Sequence, residues 1–361
     1  MEHAITQENL ITEQVNTEPK KKERIIAFDF LRIIAALAVV MSHSAIATDV
    51  SFSDGVIFDS LSRFAVPVFL MISGALMLDE KKTLTTKDTF KKIFFGGIML
   101  LIWNVIYAGF YHILIPIKDN QKIALSSVVK GIVLGNYHFW YMYLLLGLYL
   151  ITPILRLFVK KENMKYLLYF VFLAIIFQFL PRIIDICLNK VLPTSLDGTF
   201  YAFIDSFYIN GFFGYITYYI LGWIIVNLEI KKCFRYIMYA IGFISMLIMI
   251  LGTELIFKKG KSIGLFNNLM IFNFCYSTFV FAFFFYLFKK IKLNQFLQNL
   301  ILKLSSLTFG VYLIHDLIKE ILNVFIFKQL LVNNMIHSLV IWFITVVLSF
   351  LICYIISLIP L

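Results

Sequence analysis

The sequence predicts an all-α polytopic membrane protein in which about ten helices cross the bilayer and both termini lie in the cytoplasm. Its composition is the first indication, because 61% of the 361 residues are hydrophobic and only 15% are charged. Soluble domains carry about 25% charged and about 45–50% apolar residues. The second is that apolar runs of roughly 20 residues, the length that crosses hydrocarbon, recur along almost the whole chain.

The chain begins with a polar segment and continues as a series of apolar runs. We predict a disordered cytoplasmic tail with a basic anchor over 1–23 and one membrane domain over 24–361. The first apolar run contains ionisable residues and lacks a small-residue cleavage site, so it is a retained helix rather than a signal peptide. Spans are predicted at about 25–47, 57–78, 93–117, 138–159, 164–187, 206–228, 234–257, 265–288, 300–325 and 336–360.

Basic residues between the spans predict the orientation. The loops on the side of the N-terminus hold most of them, in clusters at 20–24, 81–92, 156–165, 231–235 and 289–292. Positive charge in short loops marks the cytoplasmic side, so both termini are predicted to be cytoplasmic. The shorter apolar stretch 123–135 contains Lys130 and is predicted to be interfacial or re-entrant. The net charge of +11 fits anchoring to anionic membrane lipid better than binding to nucleic acid.

The cysteines give no sign of a metal site or a disulfide framework. They lie in or at the ends of different apolar runs, without metal-ligand spacing, at Cys187, Cys233, Cys275 and Cys353. We interpret them as packing residues. The sequence therefore predicts no metal and no bound cofactor.

Ionisable residues inside a membrane helix are costly and indicate a functional site. The first span contains Asp29, Arg32 and His43. Arg32 and His43 are close to three whole helical turns apart, so they share one face and are separated by about 16 Å along the axis. Asp29 falls near that face and is expected to pair with Arg32. The alternative is that Asp29 and Arg32 form only an interfacial ion pair and that His43 caps the end of the helix.

Other spans supply polar groups at the level of His43. Arg63 lies in the outer half of the second span, His138 opens the fourth, and His315 lies in the outer half of the ninth. We expect these four side chains to line one outward-facing cavity. Tyr312, one turn before His315, lies on roughly the same side of its helix.

Three nearby residues also have structural interpretations. Ser73, deeper in the second span, is either a donor to a ligand or a small residue that allows close helix packing. Trp140 is better interpreted as an aromatic anchor at the membrane interface than as a ring on which a sugar stacks. Arg63 either faces the cavity or forms an ion pair in the first outer loop, with Asp49, Asp54 or Asp59.

Five segments of the chain carry motifs in a fixed order. They are RIIAFDFLRIIAALAVVMSH (24–43), RFAVPVFLMISGALM (63–77), YHFWYMYLLLGLYLITPILR (137–156), GYITYYILGWII (214–225) and SLTFGVYLIHDLI (306–318). In this order they resemble the acyltransferase-3 family of bacterial membrane acyltransferases, whose hallmark is an Arg followed after ten residues by a His. Arg32 and His43 match that hallmark. Asp316 departs from the family, in which many members have proline after the later histidine.

The resemblance implies a membrane-bound O-acyltransferase of the bacterial cell membrane. The implied donor is cytoplasmic acyl-CoA, acetyl-CoA in most of the family, and the implied acceptor is a hydroxyl of an extracytoplasmic cell-surface glycan or a lipid-linked one. The subgroup that the segments resemble best is the surface-polysaccharide O-acetyltransferases. Capsule, teichoic acid, peptidoglycan and exopolysaccharide all fit as acceptors.

The resemblance also suggests roles for the polar residues. Arg32, oriented by Asp29, would bind a phosphate or carbonyl of the donor, since a guanidinium binds such groups with two hydrogen bonds. His43 would be the general base on the sugar hydroxyl or would accept the acyl group transiently. Arg63 would stabilise the oxyanion, and His315 would orient His43 or contact the acceptor. The remaining substrate-binding candidates are Ser73, His138 and Tyr312.

Two other functions are compatible with ionisable residues inside the membrane helices. A transporter or flippase of a lipid-linked sugar or small solute would also place charges at the midplane, but no inverted repeat is evident. A non-catalytic sensing or anchoring domain is the other, because similar membrane modules are sometimes fused to amino-acid racemases. The ordered motifs favour the acyltransferase.

Overall fold

The protein is a bundle of helices, as seen in a computed structural model that describes residues 24–46, 52–188, 198–207, 210–258, 265–327 and 335–359. Within these ranges no strand is found, and the predicted all-α fold is confirmed. Among the described residues, 9 helical stretches are long and apolar enough to cross a membrane. The chain is therefore a multi-pass membrane protein. The predicted tail over 1–23 lies outside the described ranges.

Long helices make up most of the described chain, and short helical turns extend several of them. The principal helices, in chain order, are α1 (Ile26–Ile46), α2 (Phe52–Ser62), α3 (Ala65–Met77), α4 (Thr86–Gly109), α5 (Leu125–Leu134), α6 (Trp140–Phe158), α7 (Met164–Ala174), α8 (Pro181–Leu188), α9 (Thr199–Asp205), α10 (Tyr215–Asn227), α11 (Lys232–Lys258), α12 (Ile271–Phe288), α13 (Gln295–Ile321) and α14 (Met335–Ser357). Short turns lie at Phe110–Leu114, Ile115–Lys118, Tyr137–Phe139, Lys161–Asn163, Ile175–Phe179, Asn210–Phe213 and Leu322–Phe327.

Most predicted spans coincide with these helices, and the differences have local causes. The third span starts earlier than predicted because Thr85 and Asp88 form a capping box that begins α4. At the predicted sixth span, 206–228, the apolar helix is α10, which has only 13 residues. That length is about 20 Å, against about 30 Å of hydrocarbon. Gly214, with a non-helical ψ of −123°, interrupts the run before α10. The stretch 123–135 contains α5, which packs along α4.

Helix α1 is enclosed on several sides by the rest of the bundle. It packs against α2, α3, α12, α13 and α14, and Leu31 and Ala35 on it are fully buried. Helix α14, in contrast, exposes Phe343, Val347 and Leu351. Apolar side chains face outward in a hydrocarbon environment, and polar groups collect between helices. The helix that carries Asp29, Arg32 and His43 is thus an inner one.

Helices α3 and α10 pack so closely that glycine is required on each. A Cβ atom added at Gly74 would lie 1.7 Å from the carbonyl oxygen of Tyr219, and one at Gly222 would lie 2.0 Å from that of Met71. Glycine allows backbones in membrane bundles to approach in this way. The close helix packing that was one of the two interpretations of Ser73 is therefore provided by its neighbour Gly74.

Arg156 joins the end of α6 to the loop that follows α3. Its Nη1 donates to the carbonyl oxygens of Met77 and Asp79 at 2.7 and 3.0 Å, and Nη2 donates to that of Lys82 at 2.6 Å. Carbonyls at the end of a helix have no partner within it, so an arginine fork stabilises them. This loop contributes to the larger cavity described below.

Candidate active site

The histidines predicted to share a site lie together. Ring centroids are 5.3 Å apart for His43 and His315, 5.2 Å for His138 and His315, and 6.2 Å for His43 and His138. Beside them is a small space of about 60 Å³, the histidine cavity. It is lined by Val39, Ser42, His43, Ser62, Arg63, Ala65, Val66, Phe69, His138, Trp140, Tyr141, Asn268 and Tyr312. Residues far apart in the chain thus form one imidazole cluster.

His315 is fully buried behind this cavity and is held by its own helix. Its Nδ1 lies 2.7 Å from the carbonyl oxygen of Tyr312 and 3.2 Å from that of Val311. Carbonyl oxygens only accept, so Nδ1 carries the hydrogen and the lone pair of the neutral ring is on Nε2. This Nε2 is buried and has no hydrogen-bond partner in the part of the chain that the structure describes.

Tyr312 and His138 connect α13 to the start of α6. The hydroxyl of Tyr312 donates to the carbonyl oxygen of His138 at 2.8 Å. The His138 side chain is fully buried, and its Nδ1 lies 3.7 Å from Oδ2 of Asp316, which is longer than a hydrogen bond. His138 lines the histidine cavity together with His43 and Arg63, whereas His315, the fourth residue predicted to line it, does not.

Asp316 is the centre of a polar network that the sequence did not predict. Its side chain is fully buried and accepts hydrogen bonds from Lys319 at 2.6 Å, Tyr137 at 2.7 Å and Asn136 at 2.9 Å. The hydroxyl of Tyr137 also lies 3.3 Å from Nδ1 of His43. A buried carboxylate with an ammonium partner and further donors is compensated. The sequence does contain an indication of this network, because Asp316 and Lys319 are ionisable residues inside a predicted membrane span.

Arg63 fits both of its interpretations. It forms an ion pair with Asp59, one turn earlier on the chain, and its guanidinium carbon lies 4.7 Å from the ring centroid of Phe266. It also lines the histidine cavity. Its Nε is buried and has no hydrogen-bond partner among the described residues, so one donor is available. Asp49 lies outside the described residues, and so does the side chain of Asp54.

A larger cavity of about 890 Å³, the basic cavity, lies at the other end of α1. Its acidic lining residues are Asp29, Asp79 and Glu229. The cationic ones are more numerous and come from several helices and loops: Arg24, Arg32, Lys81, Lys82, Lys161, Arg235 and Lys289. Burial, with repulsion from Arg235, lowers the pKa of Lys289. An anion bound there would relieve that repulsion.

The predicted pairing of Asp29 with Arg32 is present, and two further residues hold the carboxylate. Nη1 of Arg32 lies 3.1 Å from Oδ1 of Asp29. Arg24 donates to both oxygens of Asp29 at 2.8 Å, and Ser305 donates to Oδ1 at 2.7 Å. Asp29 is therefore fixed in place, and Arg32 lies at the wall of the basic cavity.

Ser73 and two tyrosines lie between the two cavities. The side chains of Tyr141 and Tyr149 lie close to Ser73, and both tyrosines are within electrostatic range of Arg32. Tyr141 also lines the histidine cavity. Polar groups thus extend from the Arg32 end of α1 toward the His43 end, which is about 16 Å away.

Comparison with known proteins identifies the family. A family model described as an acyltransferase domain matches residues 25–358. The chain belongs to the acyltransferase-3 family. The match includes all of α1 to α14 and every candidate site residue, which confirms the family resemblance of the five motif segments. It establishes a multi-pass membrane acyltransferase. No curated protein and no solved structure matches the chain.

Proposed function

We propose that this acyltransferase moves an acyl group, in the simplest case acetyl, from cytoplasmic acyl-CoA to a hydroxyl of an extracytoplasmic cell-surface glycan. The observation that carries the proposal is the pair of cavities at the two ends of α1, one basic and one lined by histidine. The first suits a donor that carries phosphates, and the second suits a hydroxyl that needs a base. In the orientation given by the basic loops, the basic cavity and both termini face the cytoplasm of a bacterial cell.

The basic cavity is suited to the phosphorylated part of acyl-CoA. Its cationic groups outnumber its acidic ones, and its size falls in the range of about 300–1,000 Å³ that is typical of small-molecule sites. Arg32 would hold a donor phosphate or carbonyl through its guanidinium. The flexible arm of the donor would then lie along Ser73, Tyr141 and Tyr149, which places the thioester at the histidine cavity.

His43 is the proposed base for the transfer step. The acceptor hydroxyl gives its proton to His43 while its oxygen attacks the thioester carbonyl; the C–S bond then breaks, and the departing CoA thiolate takes the proton. In the two-step form of the reaction, His43 accepts the acyl group before the hydroxyl does. The free Nε of Arg63 supplies a donor for the oxyanion in either case.

Deletion of the gene is expected to remove O-acyl esters from one surface-glycan fraction, and the intact gene should restore them. The measurement is the acid released by mild alkali from each isolated fraction, combined with acyl-CoA consumption by the purified protein. Unchanged esters in every fraction, together with no consumption of acyl-CoA, would contradict the proposal and favour a transporter. The fraction that changes identifies the acceptor class.

Arg32→Gln is expected to raise the KM for acyl-CoA by about 10-fold to 100-fold, since a hydrogen bond to a charged group contributes about 1.5–3 kcal/mol. Asp29 keeps Arg24 and Ser305 as partners in this variant, so the helix should still fold. Lys165→Gln is the control, because Lys165 stacks on Tyr166 and does not line the basic cavity. An unchanged KM in Arg32→Gln would exclude this cavity as the donor site.

A further inference from the structure

We propose that Tyr137 and Asp316 are positioning residues that fix the tautomer and orientation of His43. The inference rests on the proposed role of His43 in acyl transfer and adds a relay, His43–Tyr137–Asp316, that is anchored by Lys319. Asp316 is the position at which this chain departs from the acyltransferase-3 motif, since many members of that family have proline after the later histidine.

The carboxylate of Asp316 determines the direction of the hydrogen bond from Tyr137. A carboxylate only accepts, so the single hydroxyl hydrogen of Tyr137 points to Oδ1 of Asp316 at 2.7 Å. Lys319 confirms the assignment, because its ammonium only donates and lies 3.2 Å from the Tyr137 oxygen and 2.6 Å from Oδ1. The oxygen of Tyr137 is therefore left as an acceptor.

Because the Tyr137 hydroxyl donates to Asp316, the hydrogen bond between Tyr137 and His43 must have His43 as its donor. Nδ1 of His43 lies 3.3 Å from the Tyr137 oxygen, and two lone pairs would face each other unless Nδ1 carries a hydrogen. Nδ1–H therefore donates to Tyr137, and the lone pair of the neutral ring is on Nε2. Nε2 is then the nitrogen that takes the acceptor proton. A carboxylate that orients a catalytic imidazole is the arrangement of hydrolase triads, here with a tyrosine hydroxyl between the two.

Burial strengthens the electrostatic interactions at the Asp316 end of this relay, whereas Tyr137 in the middle is 52% exposed. Asp316 is 0% exposed and Lys319 is 3% exposed, so both charges interact in a low-dielectric environment. The relay joins α1, the turn Tyr137–Phe139 and α13, which hold its members at fixed distances. When His43 takes a proton, the carboxylate side of the relay stabilises the imidazolium through Tyr137.

A purely structural role would give different results. In that case Asp316 would only tie α13 to the turn before α6, and its loss would lower the amount of folded protein without changing turnover per folded molecule. A relay predicts a loss of kcat. It also predicts that Tyr137→Phe and Asp316→Asn act as one unit, because the first removes the hydroxyl that links His43 to the carboxylate and the second removes the negative charge at the end of the same relay.

The test compares Tyr137→Phe, Asp316→Asn and the double variant as purified protein in lipid nanodiscs, with rates normalised to folded protein. Each single variant should lower kcat by roughly 10²-fold, leave the KM for acyl-CoA within about twofold, and lose little more when combined. Tyr219→Phe is the matched control. It removes a buried tyrosine hydroxyl bonded to Thr152, and Thr152 keeps its bond to Leu148.

The tautomer is measured separately by ¹⁵N NMR of histidine-labelled protein in bilayers, with the His43 signals identified by their loss in His43→Gln. The wild type should show a protonated Nδ1 and a bare Nε2, and Tyr137→Phe should show a mixture. A bare Nδ1 in the wild type, an unchanged spectrum in Tyr137→Phe, or additive kinetic losses would overturn the relay. The spectra need neither donor nor acceptor. A failure of the acyl-transfer proposal is thereby distinguished from a failure of the relay, and Tyr137→Phe provides the test even where Asp316→Asn does not fold.

Discussion

His43→Ala should lower the kcat of acyl transfer by about 10³-fold or more while the protein still inserts and folds. General-base catalysis contributes about 10²-fold to 10⁴-fold, and in the proposed reaction His43 performs both proton transfers. Of the three clustered histidines, His138 and His315 are almost completely buried, whereas His43 is only partly buried. The measurement is turnover per folded molecule, with acyl-CoA as donor. The acceptor is the glycan fraction that loses its esters when the gene is deleted.

The KM for acyl-CoA separates this role of His43 from a general disturbance of the helix. A lost base lowers kcat and leaves donor binding intact, so KM should stay within about twofold. His112→Ala is the matched control, because His112 lies beyond α4 in the turn Phe110–Leu114 and is outside the histidine cluster. Full turnover in His43→Ala would exclude His43 as base or acyl acceptor, and equal losses in the two variants would indicate an effect on folding.

The parts of the site that lie on one helix follow from the sequence alone. Helical periodicity places Asp29, Arg32 and His43 on one face whatever surrounds the helix, and the pairing of Asp29 with Arg32 is present. The same reasoning explains Arg63 and Asp59, which are four residues apart and therefore meet. Local spacing predicts such contacts well because it does not depend on the packing of other helices.

Contacts between segments far apart in the chain could not be predicted from the sequence in this way. Tyr137 and Asp316 are 179 residues apart, and only the packing of α13 beside the turn Tyr137–Phe139 brings them together. The charge rule for membrane helices marks Asp316 and Lys319 as unusual, yet it does not identify their partners. Hydropathy similarly marks 206–228 as apolar, but it does not register that Gly214 stops the helix.

Gly222→Ala is expected to prevent the protein from accumulating in a folded, monodisperse form. The added Cβ would lie 2.0 Å from the carbonyl oxygen of Met71 and 2.5 Å from its carbonyl carbon and Cα. Overpacking usually costs about 1–3 kcal/mol, and a larger effect is expected here because the obstacle is backbone that no rotamer change can move. The measurement is the yield and thermal midpoint of purified protein, followed by size-exclusion chromatography.

Gly147→Ala is the control that isolates the close contact from the effect of glycine on helix propensity. Gly147 lies within α6, and a Cβ there meets nothing within 4 Å. Alanine is favoured over glycine in a helix by about 1 kcal/mol, so this variant should be as stable as the wild type or slightly more so. A Gly222→Ala protein with wild-type yield and midpoint would show that α3 and α10 can separate. Since α3 also carries Ser73 and lies beside both cavities, such freedom would mean that the space between Arg32 and His43 is not held by this helix pair.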